Sequence, residues 1–227
     1  MGKGFQLQII LDSLQPLLQG AVVAVGVALA SMVVAVILGA IVVSFRLSRF
    51  WVLRVPAFIY IQFFRGTSLF VFILWLFFGL TIVTGFRLGA FMAAVIALGM
   101  LNSAYMAEIY RSGLSAVKPG QYEAARALGL TRFQLYWDVV IPQAVPVIIP
   151  SAMNLFTDVL KDSSLVGVIG VVDIMRVTQR LANFYFRPFE FYTAAAAIYA
   201  IIILFVSRVL VVRVERYYRR SQARIIY

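Results

Sequence analysis

The chain has 227 residues, 63% of them hydrophobic and 13% charged, a net charge of +11, and neither Cys nor His. Soluble domains carry about 25% charged and 45–50% apolar residues, so this composition excludes a water-soluble globule. It also excludes disulfides, thiolate metal sites and His-based acid–base chemistry. The cations sit at the ends of apolar runs rather than in one patch, which sets nucleic acid aside and makes the charge a matter of membrane topology.

Residues 13–45, 66–86, 88–107, 139–157 and 191–207 contain no Asp, Glu, Lys or Arg. A spanning helix needs roughly 17–25 apolar residues. The runs lack the strict alternation of a barrel strand, so the expectation is an all-α membrane protein of five transmembrane helices, one domain over 1–227. The start, MGKGFQLQIILDSLQP, has no small-residue cleavage site, and no cleaved signal peptide is expected.

Residues 5–15 read as a short amphipathic lead-in, and Pro16 opens a first span to about Phe45. Gly20, Ala24, Ala28, Ser31, Ala35 and Gly39 recur along it every three or four residues, a stripe that lets another helix approach closely. Pro56 begins the second segment, which Arg65-Gly66-Thr67-Ser68 interrupts. A lone Arg at mid-membrane is costly, so an interfacial helix is expected to end near Arg65 and a span to run from Thr67 to about Gly79. An outer turn follows at 84–87. The third span is expected from Leu88 to Gly113, with Asn102, Ser103, Tyr105, Glu108 and Arg111 in its second half; Glu108 and Arg111, three apart, can pair.

The stretch from Lys118 to Pro142 is the longest polar interruption. Pro119 holds Lys118 out of helical geometry. A helix is expected just after Gly120, with Glu123 in its first turn, where a carboxylate suits the positive end of the dipole. Gly129 can stop it. Thr131 then starts a second short helix, with Gln134 completing a capping box. Tyr122, Leu128, Phe133, Leu135 and Tyr136 supply apolar anchors. Two short helices about a glycine make a docking knob.

Pro142 opens the fourth span, with Pro146 and Pro150 loosening its first turns. Spacings of three and four place Ser151, Asn154, Asp158 and either Lys161 or Asp162 on one face. Pro142–Leu160 already spans about 28 Å at 1.5 Å per residue, so 161–164 lies at the outer end of the span or in a central cavity. A second apolar piece, 165–172, a loop to Glu190 and a fifth span over 191–212 follow, before a basic tail suited to the anionic inner leaflet. The positive-inside rule puts Arg46, Arg49 and Arg54, then Arg111, Lys118, Arg126 and Arg132, and the tail's Arg213, Arg216, Arg219, Arg220 and Arg224 on the inner side, opposite Lys3, Arg87, Arg176, Arg180 and Arg187. The N-terminus is thus expected outside and the C-terminus in the cytoplasm.

Glu123-Ala124-Ala125, three residues, Gly129, nine residues, then Val139-Val140-Ile141-Pro142 resembles the EAA motif of ABC importer permeases, E-A-A-x(3)-G-x(9)-I-x-L-P, with Val139 and Ile141 as conservative departures. Ala104–Gly113, Gly120-Gln121, Phe64-Arg65-Gly66-Thr67 and Leu160-Lys161-Asp162-Ser163-Ser164-Leu165 resemble the polar amino-acid branch of that family. Ser68 stands where relatives usually have Pro. Leu155 follows Asn154 where carriers of basic amino acids often have Glu, which argues against a purely cationic substrate.

The resemblance implies a permease subunit of an ATP-driven importer for polar amino acids (acidic, amide or related), with a cytoplasmic coupling loop at about 118–140. Its implied partners are a second permease subunit, identical or homologous, two ABC ATPases, a periplasmic or surface solute-binding protein, and membrane lipid. It also implies a multi-pass protein of the bacterial cytoplasmic membrane. No G-x-x-x-x-G-K-[ST] loop occurs in the chain, so ATP and Mg would be bound by the partner, and no catalytic or metal-binding residue is assigned. The ATPase-coupling residues would be Glu123, Ala124, Ala125, Gly129 and Pro142. The substrate-binding candidates are Thr67, Ser68, Asn102, Ser103, Asn154, Asp158, Lys161 and Asp162. The alternative is a stand-alone secondary transporter or channel using Asp158, Lys161 and Asp162 as ion sites; a membrane enzyme ranks last.

Overall fold

Small residues decide how the first span packs. In the computed structural model, which describes residues 5–211, Gly20, Ala24, Ala28, Ser31, Ala35 and Gly39 all lie on the buried face of α2 (Leu14–Arg46). The stripe lets α2 lie against α5 (Ala90–Ser115) along most of its length. A Cβ at Gly39 would stand 2.9 Å from Met106 Cβ, closer than side chains pack. α5 is the central helix: 67% of its most apolar window is buried, against 33% or less in the other long spans.

A short helix, α1 (Leu7–Asp12), precedes α2, and Pro16 sits harmlessly in the first turn of α2. The second segment breaks where expected. α3 (Trp51–Gly66) and α4 (Leu69–Thr84) meet at 105°, with Thr67 and Ser68 extended between them. α4 does not end near Gly79. It passes through a wide, π-type turn at Trp75–Gly79, where the Trp75 ring packs 3.3 Å from the place of a Gly79 Cβ, and stops at Thr84, before Gly85 at φ +73°.

After α6 (Pro119–Ala127), a single turn at Arg132–Gln134 and a second wide turn at Leu135–Val140 lead into α7 (Ile141–Asp162). The wide turn lies where Pro142 withdraws an N–H from the helical ladder. A 3₁₀ stretch, Ser163–Ile169, follows. The expected loop to Glu190 is instead mostly α8 (Ile174–Tyr185), with Ile174, Val177, Thr178 and Ala182 turned inward. Asp173 caps it, accepting from Met175 N at 3.2 Å and Arg176 N at 3.0 Å. α9 (Pro188–Phe205) starts three residues earlier than expected, because Pro188 suits the first helical position and Arg187 pairs with Glu190 at 2.6 Å.

Among the described residues four helical stretches, Leu14–Arg46, Ala90–Ser115, Arg132–Ile169 and Pro188–Arg208, are long and apolar enough to cross a membrane, and the bent pair α3–α4 passes the same test only when its two helices are taken together. The basic tail and Lys3 lie outside the described residues.

Candidate translocation groove and coupling knob

Two hollows between α3–α4, α5 and α7 run into one groove. One, of about 470 Å³, is lined by Arg65, Tyr105, Glu108, Arg111, Ser151, Asn154 and neighbours. The other, of about 380 Å³, is lined by Thr67, Asn102 and Asp162 among others. Tyr105, Leu155 and Asp158 line both. The polar face of α7 expected from its spacing therefore meets the second half of α5 and the break between α3 and α4.

The structure brings Thr67, Asn102, Asn154, Asp158 and Asp162 to this groove. Asn102 donates to Leu98 O at 2.9 Å, and Thr67 to Phe63 O at 2.6 Å. Three candidates stand elsewhere. Ser103 is fully buried and committed, donating to Met100 O at 2.6 Å and 2.8 Å from Tyr60 Oη. Ser68 precedes α4 outside the lining. Lys161 bonds Asp158 at 2.9 Å but lines neither hollow. That pair lies within one helix, so within this chain it does not tie two helices together.

Arg65 is the residue that the sequence reading set aside as interfacial. Its guanidinium lies 5.6 Å from the centre of the Tyr105 ring, and Tyr105 Oη donates to Arg65 O at 3.4 Å. Among the described residues the ion pairs are Glu108–Arg111, Asp158–Lys161 and Arg187–Glu190. Arg65 and Asp162 belong to none of them, so the groove presents one cation and one carboxylate outside any ion pair. The sequence signal for Arg65 was its place in Phe64-Arg65-Gly66-Thr67. Nothing in the spacing foretold that the 105° bend turns it toward α5 and α7.

The knob has two faces. Val117, Ala125, Leu135, Val140 and Ala144 form its buried core, and Gln143 bonds Gln121 at 3.2 Å to tie α7 to α6. Pro119 is the first residue of α6 and Lys118 is extended before it. Glu123 is thus the fifth helical residue rather than a first-turn one, and the expected dipole contact lapses. Gly129 has φ +74°, a backbone that side chains rarely adopt. The Thr131–Gln134 capping box forms, with Gln134 N to Thr131 Oγ1 at 3.3 Å and Thr131 N to Gln134 Oε1 at 3.0 Å. Thr131→Ala is expected to cost about 1 kcal/mol, seen as a lower thermal midpoint with substrate affinity unchanged.

Of the expected anchors, Leu135 turns inward, Tyr122 is half-buried, and Leu128, Phe133 and Tyr136 face out. The reading passed over Trp137, four residues after Phe133. The two rings stack 5.9 Å apart with planes 8° from parallel. Glu123, Ala124 and Gly129 are exposed on the outward side; Ala125 is 3% exposed and Pro142 lies past the wide turn.

Residues 31–220 match the family described as binding-protein-dependent transport system inner membrane component. The chain is 37% identical over 214 residues to a probable amino-acid ABC transporter permease protein, y4tF, of Sinorhizobium fredii, covering 91% of this chain and 90% of that one. It is 34% identical to the octopine transport system permease protein OccM of Rhizobium radiobacter, over 85% of this chain and 82% of the relative. Among solved structures, an amino acid ABC transporter crystallised with histidines superimposes with a TM-score of 0.89 at 35% identity, covering 96% of this chain and all of that one.

Proposed function

Because the chain belongs to the binding-protein-dependent transport system inner membrane component family, as a permease subunit of an ABC importer, we propose that it carries a polar amino acid through the groove between α3–α4, α5 and α7. The chain is a multi-pass membrane protein and a translocation subunit, and a separate subunit hydrolyses ATP. The observation that carries the substrate class is the pair of opposite charges in the groove, both outside any ion pair. Arg65 would take the α-carboxylate, and Asp162, with Asp158 beside it, the α-ammonium. Leu155, at the junction of the two hollows, supplies no carboxylate for a cationic side chain, which favours an acidic, amide or related one.

In the proposed assembly, 1–227 is one domain in a bacterial cytoplasmic membrane, with its N-terminus outside and its C-terminus in the cytoplasm. It pairs with an identical or homologous permease, receives substrate from a periplasmic or surface binding protein, and works with two ATPases that hold ATP and Mg. The ATPases meet Glu123, Ala124, Ala125, Gly129 and Pro142. Burial of Ala125 and the fold position of Pro142 support positioning roles for these two, with contact made by Glu123, Ala124 and Gly129.

The test is uptake by the reconstituted complex with a panel of labelled amino acids. Asp162→Asn and Arg65→Gln are each expected to remove one charge-assisted contact, worth about 1.5–3 kcal/mol, and so to raise KM roughly 10- to 100-fold with the complex still assembled. Unchanged uptake kinetics would take either residue out of the site.

A further inference from the structure

The corner where α2 turns into α3 holds three arginines and no acid. Between Asp12 and Glu108 the chain has no Asp or Glu, and none of Arg46, Arg49 and Arg54 joins an ion pair among the described residues. Arg46 is the unusual one. Its guanidinium lies 5.0 Å from the Phe58 ring centre, and its Nε is buried without a hydrogen-bond partner. A buried donor left unpaired is costly, so a partner for the group is expected. α3 also opens without a side-chain cap hydrogen bond and without an acid in its first turn, which leaves the positive end of its dipole at the same corner with no acid beside it.

The surroundings say what kind of anion fits. α3 stands at 105° to α4, so with α4 crossing the bilayer α3 runs steeply away from the membrane normal, its first turns at the corner with Arg46 and its last turns against α5. Phe50, just before α3, and Trp51, Val52, Ile59 and Phe63 on it are exposed. An aqueous anion has no use for that apolar face, whereas acyl chains do. The paired demand, guanidinium groups above and hydrocarbon beside them, is the chemistry of an interfacial helix on charged lipid.

We propose that the α2–α3 corner is a binding site for an anionic phospholipid, its headgroup phosphate held by Arg46, Arg49 and Arg54 and its acyl chains against the apolar face of α3. The site is separate from the translocation groove and from the coupling knob. It does not depend on the substrate proposed above.

The test uses the full chain assembled with its ATPase partner in nanodiscs of equal phosphatidylglycerol and phosphatidylcholine, with retained lipid counted by native mass spectrometry. Wild type is expected to retain phosphatidylglycerol in preference. Each arginine near a charged surface contributes about fivefold in affinity, so Arg49→Gln or Arg54→Gln should bind about fivefold more weakly and the triple Gln variant on the order of a hundredfold more weakly. Arg87→Gln, at the far end of α4, should match wild type. Gel filtration confirms assembly; should the triple variant fail to assemble, the two exposed single variants decide. Equal retention by wild type and these variants overturns the proposal, as does an equal loss in Arg87→Gln. Displacement of the lipid by millimolar inorganic phosphate would mark a free-phosphate site and overturn it. So would loss of the ATPase at unchanged lipid count, which would make the corner a protein contact.

Discussion

Gly20→Val should lower the thermal midpoint of the purified protein sharply, while Gly26→Val, on the same helix, should leave it nearly unchanged. A Cβ at Gly20 would stand 2.9 Å from Asp173 C, Asp173 O and Ile174 N. All three are backbone atoms, so no rotamer change relieves the clash. α2 must move away from the start of α8, and there Asp173 is fully buried, capping α8 and accepting from Tyr199 Oη at 3.3 Å. Overpacking costs about 1–3 kcal/mol and a lost cap about 1 kcal/mol, so a total on the order of 3 kcal/mol is expected. At Gly26 a Cβ would meet nothing within 4 Å. The measurement is the fraction surviving gel filtration after a temperature series. Equal midpoints for the two variants would show that the α2–α8 contact does not hold the fold together.

That contact marks a boundary of what the sequence could disclose. The stripe from Gly20 to Gly39 is visible as spacing, because helical periodicity is local. Its partners are not: Gly39 meets α5, whereas Gly20 meets a helix more than 150 positions on. α8 was hidden for a related reason. Its inward residues Ile174, Val177, Thr178 and Ala182 follow a good N-cap at Asp173, but twelve residues with Arg176 and Arg180 among them make no span, so hydropathy alone does not mark it. The break at Thr67 was legible because Arg-Gly-Thr-Ser is both polar and flexible. The 105° angle at that break, which turns Arg65 into the groove, is set by packing of Phe64 and Phe72 at 5.3 Å and by Tyr60 reaching Ser103. The polar face of α7 was legible by spacing alone, and so was the capping box. Which of the eight candidates would share a hollow depended on side-chain commitments such as the Ser103–Tyr60 bond, and these arise only once the helices are packed.

Glu123→Arg should reduce ATP-driven uptake to background while the permease remains folded and in the membrane. Glu123 lies on the outward side of α6, exposed and outside every ion pair among the described residues, whereas the buried side is Val117, Ala125 and Leu135. Inverting its charge therefore spares the knob's core and acts on whatever docks there. Removing one partner of an interfacial charge pair costs about 2–5 kcal/mol, and a like charge in its place adds repulsion, so docking should weaken by well over tenfold. Ala125→Leu separates docking from folding. Ala125 is 3% exposed, so the larger side chain should lower the thermal midpoint as well as uptake, and Glu123→Arg should lower uptake alone. Gly129→Arg lies between them: it adds a cation beside the docking face and forces a side chain into φ +74°, a strain of about 1–2 kcal/mol. The readouts are uptake into vesicles and ATP hydrolysis stimulated by loaded binding protein. With force entering through the outward face of α6, Glu123→Arg should abolish both the uptake and the stimulation. Wild-type uptake by that variant, or uptake without ATP and without a partner ATPase, would remove the knob from the coupling path.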